Sequence, residues 1–365
     1  MKNMRLNVRC PLNCYLGYGH ASWNIVKALH SKGVNISLFP IGQQAVLTGG
    51  NQDLEIFKEL MSKTAENYRE ESPDFLCWHE YDLVTNFVGK GKRFVYPFFE
   101  INKFDNARLF NLSNIDHIIC PSTWAQATII GNGIKTKTSV VPCGVDSSIF
   151  YPNTSEESNE TTKFFTLGKI EYRKSTQLMC QLFNETFNDD DDVEFHVLCS
   201  SPLQQIQQQM ESLKNFVKSL SIGYKIFIYD KMFELDHNLA TFIRSMDCGV
   251  FLTRAEGFCL PALQTLACGK QLIITDYSAH TEFLTPHNHL PVNITEFESA
   301  NDGVWFNGTN GSWAKIDKKE KGQFKDHLRA VYDGNLPRLN QPGVETSKLF
   351  SWSNCADKLI EVFNE

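Results

Sequence analysis

The chain has 365 residues, of which 42% are hydrophobic and 21% are charged. This balance is typical of globular proteins, and the length fits two domains of ordinary size better than one. The formal net charge of −7 argues against a general affinity for the nucleic-acid backbone.

The sequence predicts neither a secretory signal nor a membrane-spanning helix. No apolar run reaches the roughly 18 residues that a membrane-spanning helix needs, and residues 1–14 lack the apolar stretch of a secretory signal. The 11 cysteines are odd in number and scattered, and Cys120, Cys199 and Cys248 sit in apolar, strand-like runs. We therefore expect reduced, buried thiols and a cytoplasmic location.

The first 150 residues alternate short apolar runs with helical patterns. Strands are predicted at 4–10, 34–39, 74–78, 92–97, 115–120 and 138–142. Helical spacing begins at Ala21 and ends at Gly33, after a glycine loop that closes with Gly17-Tyr18-Gly19. Further helices are predicted at 52–70 and from the cap Ser122 to Gly131 or Gly133. This alternation predicts a mostly parallel sheet with helices on both faces.

A polar stretch at 151–163 has no apolar periodicity and indicates a linker. The alternation then restarts, with strands predicted at 164–167, 193–199, 225–229, 248–252 and 271–275. Helices are predicted at 175–187, 203–220, 235–246, 261–268, 313–333 and 352–364. The chain is thus divided into two doubly wound, Rossmann-like domains, 1–148 and 149–349, and a terminal helix within 350–365. Ligands of such sheets bind beyond the carboxyl ends of the strands.

The loop after the strand at 248–252 reads Thr253-Arg-Ala-Glu256-Gly257-Phe-Cys-Leu-Pro261. Proline favours the first position of a helix, so a helix is expected to begin at Pro261 and to direct its free N–H groups at an anion. Gly257 permits close backbone approach, and the Glu256 carboxylate suits sugar hydroxyls. On the residues alone, an ordinary strand-to-helix turn explains the segment equally well.

The loop after the strand at 164–167 is basic. It reads Gly168-Lys-Ile-Glu-Tyr-Arg173-Lys174-Ser175, with three cations in six residues. Such cations can neutralise a departing diphosphate without a metal. A surface charge cluster is the simpler explanation when this loop is taken alone.

Three weaker candidates follow strands of the first domain. Gly17 to Gly19 lack the third glycine of a dinucleotide fingerprint, so a tight turn explains them as well. His79 can donate to a sugar or act as a base, but a capping or packing histidine explains it equally well, and Glu100 has the same standing. Metal binding is poorly supported, because the run Asp189 to Asp192 is better explained as a solvated turn and no four-ligand set is complete.

Together these segments resemble glycosyltransferase family 4, a group of retaining enzymes with the GT-B fold. The matching text is LGYGHASWNIVKALHSKG, CPSTWAQATIIGNGI, VVPCGVDSSIFYP, LGKIEYRKS and RAEGFCLPALQTLACG, in the order of the family. The resemblance covers most of residues 10–285. It implies two Rossmann-like domains facing across a cleft and a hexosyltransferase that takes a nucleotide-sugar donor and a glycan or other hydroxyl acceptor. No cofactor or metal is implied, and peripheral membrane contact is left open.

The resemblance also implies roles by position. Arg173 and Lys174 match the pair that holds the donor diphosphate, Glu256 matches a glutamate on the donor sugar, and His79 matches a histidine near the reacting sugar. The donor would also touch Gly17, Tyr18, Gly19, Lys231, Met232, Phe233, Gly257, Phe258, Cys259 and Leu260. Glu100 is our candidate for the acceptor side.

Two positions depart from the family. Gln264 replaces the second glutamate, which binds the ribose hydroxyls in the family, so we expect altered nucleotide binding. Ser175 stands where the family usually has glycine. Gln264 keeps open a non-catalytic nucleotide-sugar-binding protein on the same fold, and a sugar phosphorylase with a pyridoxal-binding lysine is a further alternative.

Overall fold

The structure is a computed structural model, and it describes residues 4–153, 161–199 and 206–365. It contains two parallel six-stranded sheets, which confirms the predicted α/β class. We refer to residues 4–148 as the first half and to residues 149–349 as the second half. Most of the predicted linker, 154–160, and the first residues of the helix predicted at 203–220 lie outside the described residues.

The sheet of the first half has the strand order β2-β1-β3-β4-β5-β6. Its strands are β1 (Arg5–Asn13), β2 (Asn35–Val46), β3 (Asp74–Trp78), β4 (Arg93–Pro97), β5 (His117–Cys120) and β6 (Lys137–Val140). Its helices are α1 (Gly17–Ser31), α2 (Asn51–Asn67), α3 (Asn106–Ser113) and α4 (Thr123–Gly131). The predicted cap of α4 is confirmed, because the Ser122 hydroxyl accepts a hydrogen bond from the Ala125 N–H at 3.1 Å.

The glycine loop that we predicted before α1 is wrong. Residues Gly17 to Gly19 form the first turn of α1, four residues before the expected start at Ala21. A Cβ atom at Gly19 would collide with the carbonyl oxygen of Asn13, at the end of β1. Gly19 therefore lets the helix begin directly against the strand, which is a packing reason for the glycine and not a loop conformation.

The sheet of the second half has the strand order β12-β11-β10-β7-β8-β9. Its strands are β7 (Thr162–Leu167), β8 (Val193–Leu198), β9 (Ile226–Tyr229), β10 (Cys248–Phe251), β11 (Gln271–Thr275) and β12 (Leu290–Val292). The helices between them are α5 (Thr176–Thr186), α6 (Ile206–Lys218), α7 (Asp236–Arg244) and α8 (Leu260–Ala267). Helix α8 begins one residue before Pro261, which occupies its second position and not the first as predicted.

After residue 292 the prediction is least accurate. Residues 313 and 314 belong to an antiparallel hairpin, β13 (Phe297–Asn301) and β14 (Asn307–Ala314), and not to the helix predicted at 313–333. That helix, α9 (Lys318–Tyr332), begins at a capping box, in which the side chains of Asp317 and Glu320 each accept a hydrogen bond from the backbone N–H of the other residue. Helix α10 (Gln341–Leu349) was not predicted.

The last helix, α11 (Trp352–Phe363), lies against the first half. Its Phe363 ring is 5.1 Å from the Phe75 ring and 5.0 Å from the Phe94 ring, and Asp357 accepts a hydrogen bond at 2.7 Å from Lys32, which follows α1. All 11 cysteines are buried and unpaired, as expected of apolar strand and helix positions. Among the described residues, we find no helix with the length and apolarity that a membrane crossing requires.

Candidate functional site

A cavity lies between the two halves, where loops from both sheets meet. Fourteen of the predicted site residues line it: Gly17, Tyr18, Glu100, Arg173, Lys174, Lys231, Met232, Phe233, Glu256, Gly257, Phe258, Cys259, Leu260 and Gln264. These residues come from segments up to about 250 positions apart in the sequence. The loops after β1, β7, β9 and β10 therefore meet at one place, as expected for doubly wound sheets.

Two predicted residues stand behind the cavity wall. Gly19 packs against Asn13, as described above. His79 follows β3 and contacts the cavity through Tyr18, whose ring centroid lies 5.1 Å from the imidazole. Burial lowers the pKa of His79, so the imidazole is neutral at pH 7.

The centre of the site is an ion pair between Lys174 and Glu256. The Lys174 ammonium lies 2.6 and 2.7 Å from the two carboxylate oxygens of Glu256, which is only 5% exposed. Burial opposes ionisation of this carboxyl, but Lys174 and then Arg173 outweigh it and lower its pKa to about 2. The Ser278 hydroxyl accepts a hydrogen bond from the Glu256 N–H at 2.8 Å and fixes the backbone at this point.

Arg173 is enclosed by acceptors. One terminal nitrogen donates to the Ala255 carbonyl and lies 3.2 Å from Glu256. The other donates to Glu171 at 2.8 Å and lies 3.5 Å from Glu100 of the first half. Burial alone would lower the pKa of Arg173, but these three carboxylates raise it above its usual value. The guanidinium thus gathers carboxylates from both halves and retains little free capacity for a ligand.

Helix α8 presents its N-terminus to the cavity. Its cap residue Cys259 has φ 68° and makes no side-chain hydrogen bond to the first turn. No side chain therefore caps the first turn. Pro261 has no N–H and the Ala262 N–H donates to the Cys259 carbonyl at 3.1 Å, which leaves the Leu260 N–H at the start of the helix to bind an anion. Gly257, just before the helix, lies close to Phe98 and Phe99 of the first half, and a Cβ there would make ordinary van der Waals contacts with both.

Backbone strain is concentrated at this site. Among the described residues, three non-glycine residues have positive φ: Ser175 at 55°, Cys259 at 68° and Ser278 at 81°. Ser175 follows Lys174, Cys259 caps α8, and Ser278 bonds Glu256. Unusual backbone conformations persist where the surrounding structure holds them, often at functional sites. The left-handed φ of Ser175 explains physically why glycine suits this position.

Gln264, the departure from the family pattern, is on α8 and faces the cavity. Its side chain is 5% exposed and lines the cavity. The amide can both donate and accept hydrogen bonds, so it can bind the hydroxyl groups of a ligand at this position.

The sequence interpretation omitted several residues that line the cavity. Lys169 lies 3.6 Å from Glu171 and 5.9 Å from the Tyr18 ring centroid, and its place in the basic loop could have identified it. His20 and Asp236 face each other across the cleft at 3.8 Å, and the Asp236 N–H donates to the Thr48 carbonyl. No local pattern marks this second pair, because the two residues belong to different halves.

The acidic run that we considered for a metal has another partner. Asp191 accepts two hydrogen bonds from Arg329, at 2.8 and 2.9 Å, and this contact lowers its pKa. Within residues 4–153, 161–199 and 206–365, no group of three His, Cys, Asp or Glu side chains has an arrangement that could hold a metal ion.

Comparison with known proteins finds similarity to glycosyltransferases over part of the chain. Residues 149–302 match the family model "Glycosyl transferases group 1". An uncharacterized glycosyltransferase from Methanocaldococcus jannaschii is 24% identical over 257 residues, which span 69% of this chain and 60% of that protein. The matched segment of this chain therefore spans less than two thirds of that relative's length.

Solved structures establish the fold over the whole chain. The fold is GT-B. Sucrose-phosphate synthase from Thermosynechococcus elongatus has a TM-score of 0.73 at 14% identity, covering 99% of this chain and 98% of its own. The Anabaena protein HepE in complex with UDP and glucose has a TM-score of 0.71 at 12% identity, covering 100% of both chains. The GT-B fold that the sequence predicted is thus confirmed.

Proposed function

We propose that this protein is a retaining glycosyltransferase that moves a hexosyl unit from a nucleotide sugar to a hydroxyl of a glycan or another acceptor. One observation carries the proposal: the buried Lys174–Glu256 pair at the uncapped N-terminus of α8, inside the cleft of a GT-B fold. A cation, a carboxylate and a free N–H group meet there, and these groups suit a diphosphate joined to a sugar. The match to group 1 glycosyl transferases over 149–302 supports this assignment.

The donor would occupy the second half. Its base would lie along Lys231 to Phe233, its ribose would face Gln264, and its sugar hydroxyls would bond Glu256. We assign the diphosphate to Lys174 and Lys169, because Arg173 already contacts four protein acceptors. Arg173 would then orient Glu256. The Anabaena HepE structure, which holds UDP and glucose, supports a donor of this chemistry.

The reaction would exchange one bond at the anomeric carbon. The bond to the phosphate oxygen breaks, a bond to the acceptor oxygen forms on the same face, and the hydroxyl proton passes to the departing diphosphate. Lys174, Lys169 and the N-terminus of α8 would stabilise the negative charge that develops on the leaving group, so we propose that the step needs no metal. Enclosing the reactants between the two halves supplies orientation and excludes water.

A thermal-shift screen against UDP-, GDP- and ADP-sugars, followed by an assay of nucleoside diphosphate release, tests this function. A donor at 100 times its Kd should stabilise the protein by about 2.7 kcal/mol. We expect at least one donor to stabilise the protein and to be turned over. Stabilisation without turnover over long incubation would indicate a binding protein, and no stabilisation by any donor would contradict the proposal.

A further inference from the structure

The two walls of the cavity carry opposite charges. Every lysine and arginine among the described residues that line it belongs to the second half: Lys169, Arg173, Lys174 and Lys231. The lining residues of the first half include Tyr15, Tyr18 and Phe98, and their one carboxylate is Glu100. The anionic part of a ligand is therefore directed to the second half, and the first half offers it no cation.

Glu100 is held firmly in this wall by the hairpin of the second half. The Trp313 indole N–H donates to the Glu100 carbonyl at 2.7 Å, and the Ser312 N–H donates to the Asn102 side chain at 2.8 Å. Trp313 is fully buried, so this hydrogen bond lies in the packed interior and is shielded from solvent. The Glu100 carboxylate thus has a fixed place, 3.5 Å from Arg173 and facing the cavity.

Aromatic rings continue the first-half wall beyond Glu100. Tyr18 lies edge-on to Trp78 at 5.9 Å and to His79 at 5.1 Å, and His79 stacks on Tyr81 at 5.0 Å and 13°. Of these four residues only Tyr18 lines the cavity, and Trp78 and His79 support its ring from behind. We call the three rings of the first half that line the cavity, Tyr15, Tyr18 and Phe98, the aromatic wall. Such rings combine an apolar face with polar edges, which suits the mixed surface of a sugar ring.

One arginine of the first half, Arg108, lies beside these rings, but its charge is already neutralised. Arg108 lies over the Tyr81 ring at 5.7 Å, but it donates to Glu80 at 2.6 Å and also pairs with Asp105. Asp82 follows Tyr81 in the sequence and adds another negative charge. The lowered pKa of His79 leaves its ring neutral. On this side a phosphate on the acceptor would meet Glu100 and uncharged rings. The cation over the Tyr18 ring, Lys169, belongs to the second half and lies 3.6 Å from Glu171, so the first half itself offers a phosphate no partner.

We propose that the acceptor is an uncharged sugar, stacked on the aromatic wall and hydrogen-bonded by Glu100, and not a phosphorylated sugar. This inference rests on the proposed function and specifies its acceptor. The carboxylate accepts hydrogen bonds from sugar hydroxyls and repels a phosphate, whereas the rings bind the apolar face of the sugar.

The test compares matched pairs of acceptors with the donor that the screen identifies. Glucose, mannose, galactose and fructose are each compared with their 6-phosphates by the rate of nucleoside diphosphate release. We expect kcat/KM to be at least about 10-fold higher for the neutral member of the productive pair. A preference for the phosphorylated members, or donor turnover without transfer to any neutral sugar, would overturn the inference.

Two variants, each with a glutamate replaced by glutamine, test the role of Glu100 directly. Glu100→Gln removes the negative charge on the acceptor side. It should lower the ratio of kcat/KM for the neutral sugar to kcat/KM for its 6-phosphate several-fold. Glu298→Gln is the matched control, because Glu298 has the same 29% side-chain exposure and also pairs with a buried arginine, Arg254, but does not line the cavity. An equal change of the ratio in both variants would contradict a role for Glu100. Absence of any donor binding or turnover in the wild type would instead reject the proposed function itself.

Discussion

The two walls of the cleft are built by different means. The second-half wall includes backbone N–H groups, four cations and two buried carboxylates, Glu256 and Asp236, on the loops after β7, β9 and β10 and at the start of α7. The first-half wall consists of aromatic rings and Glu100, which a hairpin more than 200 residues later in the sequence holds in place. The second-half wall thus offers cations and N–H groups, and the first-half wall offers mainly aromatic surface. This difference is expected if the second-half wall holds a diphosphate and the first-half wall holds a neutral acceptor.

The largest effect is expected from removing the cation of the second-half wall. Lys174→Ala should lower donor turnover by about 10²- to 10³-fold, because the charge on the leaving diphosphate loses its partner. The assay is nucleoside diphosphate release at saturating donor. Lys214→Ala is the control, since Lys214 also pairs with a carboxylate, Asp230 at 2.6 Å, but on the surface. Equal rates for the two variants would place the chemistry elsewhere.

Glu256 gives the second-half wall an acid-sensitive contribution to stability. Its pKa falls from 4.5 to about 2 on folding, so ionised Glu256 stabilises the protein above pH 4.5 and this stabilisation is lost as the pH falls towards 2. The difference in unfolding free energy between wild type and Glu256→Gln should be on the order of 3 kcal/mol at pH 7 and should shrink through that window.

Urea unfolding between pH 7 and pH 3 measures this difference. Burial lowers the pKa of His280 to about 4, so its contribution to the unfolding free energy is lost as the pH falls below 6.5. This loss occurs in both proteins and largely cancels in the difference between them. A difference that stays constant with pH would show that Glu256 is not held ionised by its partners.

Gln264 tests the ribose end of the second-half wall. Gln264→Glu should bind the nucleoside diphosphate about 10-fold more tightly, because a carboxylate makes charge-assisted bonds to ribose hydroxyls. Gln264→Met, which keeps the approximate size and removes the hydrogen bonds, should weaken binding. Titration calorimetry measures both affinities. Identical affinities in all three proteins would place the ribose away from α8.

The smallest effect concerns backbone strain beside Lys174. Ser175→Gly should raise the unfolding free energy by up to about 1 kcal/mol, because φ 55° is unfavourable for serine and its buried hydroxyl has no partner. Ser122→Gly provides the contrast, since Ser122 has φ −157° and caps α4, and it should lose a few tenths of a kcal/mol. Urea denaturation measures whether each substitution raises or lowers the unfolding free energy. A lower unfolding free energy for Ser175→Gly would contradict backbone strain at Ser175.

The second-half wall could be predicted from the sequence because its parts are local. The basic loop follows β7 and the loop with Glu256 follows β10, and the rule that ligands bind at the carboxyl ends of parallel strands brings them together. Strands such as Asp74–Trp78 and Gln271–Thr275 have the predicted bounds, because short apolar runs between turn residues are clear signals.

The first-half wall could not be predicted in the same way. Trp313 was assigned to a helix because it lies at the end of β14, only a few residues before α9, and its contact with Glu100 depends on the tertiary fold. The early start of α1 was missed because Gly19 looked like a loop residue, whereas it is required by close packing on Asn13. Long-range contacts of this kind leave no periodic signal in the sequence.

The most direct test of the division between the walls is a crystal structure with the nucleoside diphosphate that stabilises the protein most. We predict phosphate oxygens within about 3 Å of the Lys174 ammonium and of the Leu260 N–H at the start of α8, with the ribose facing Gln264. A nucleotide bound outside this cavity, or one whose phosphates face Glu100 and the aromatic wall, would contradict the account.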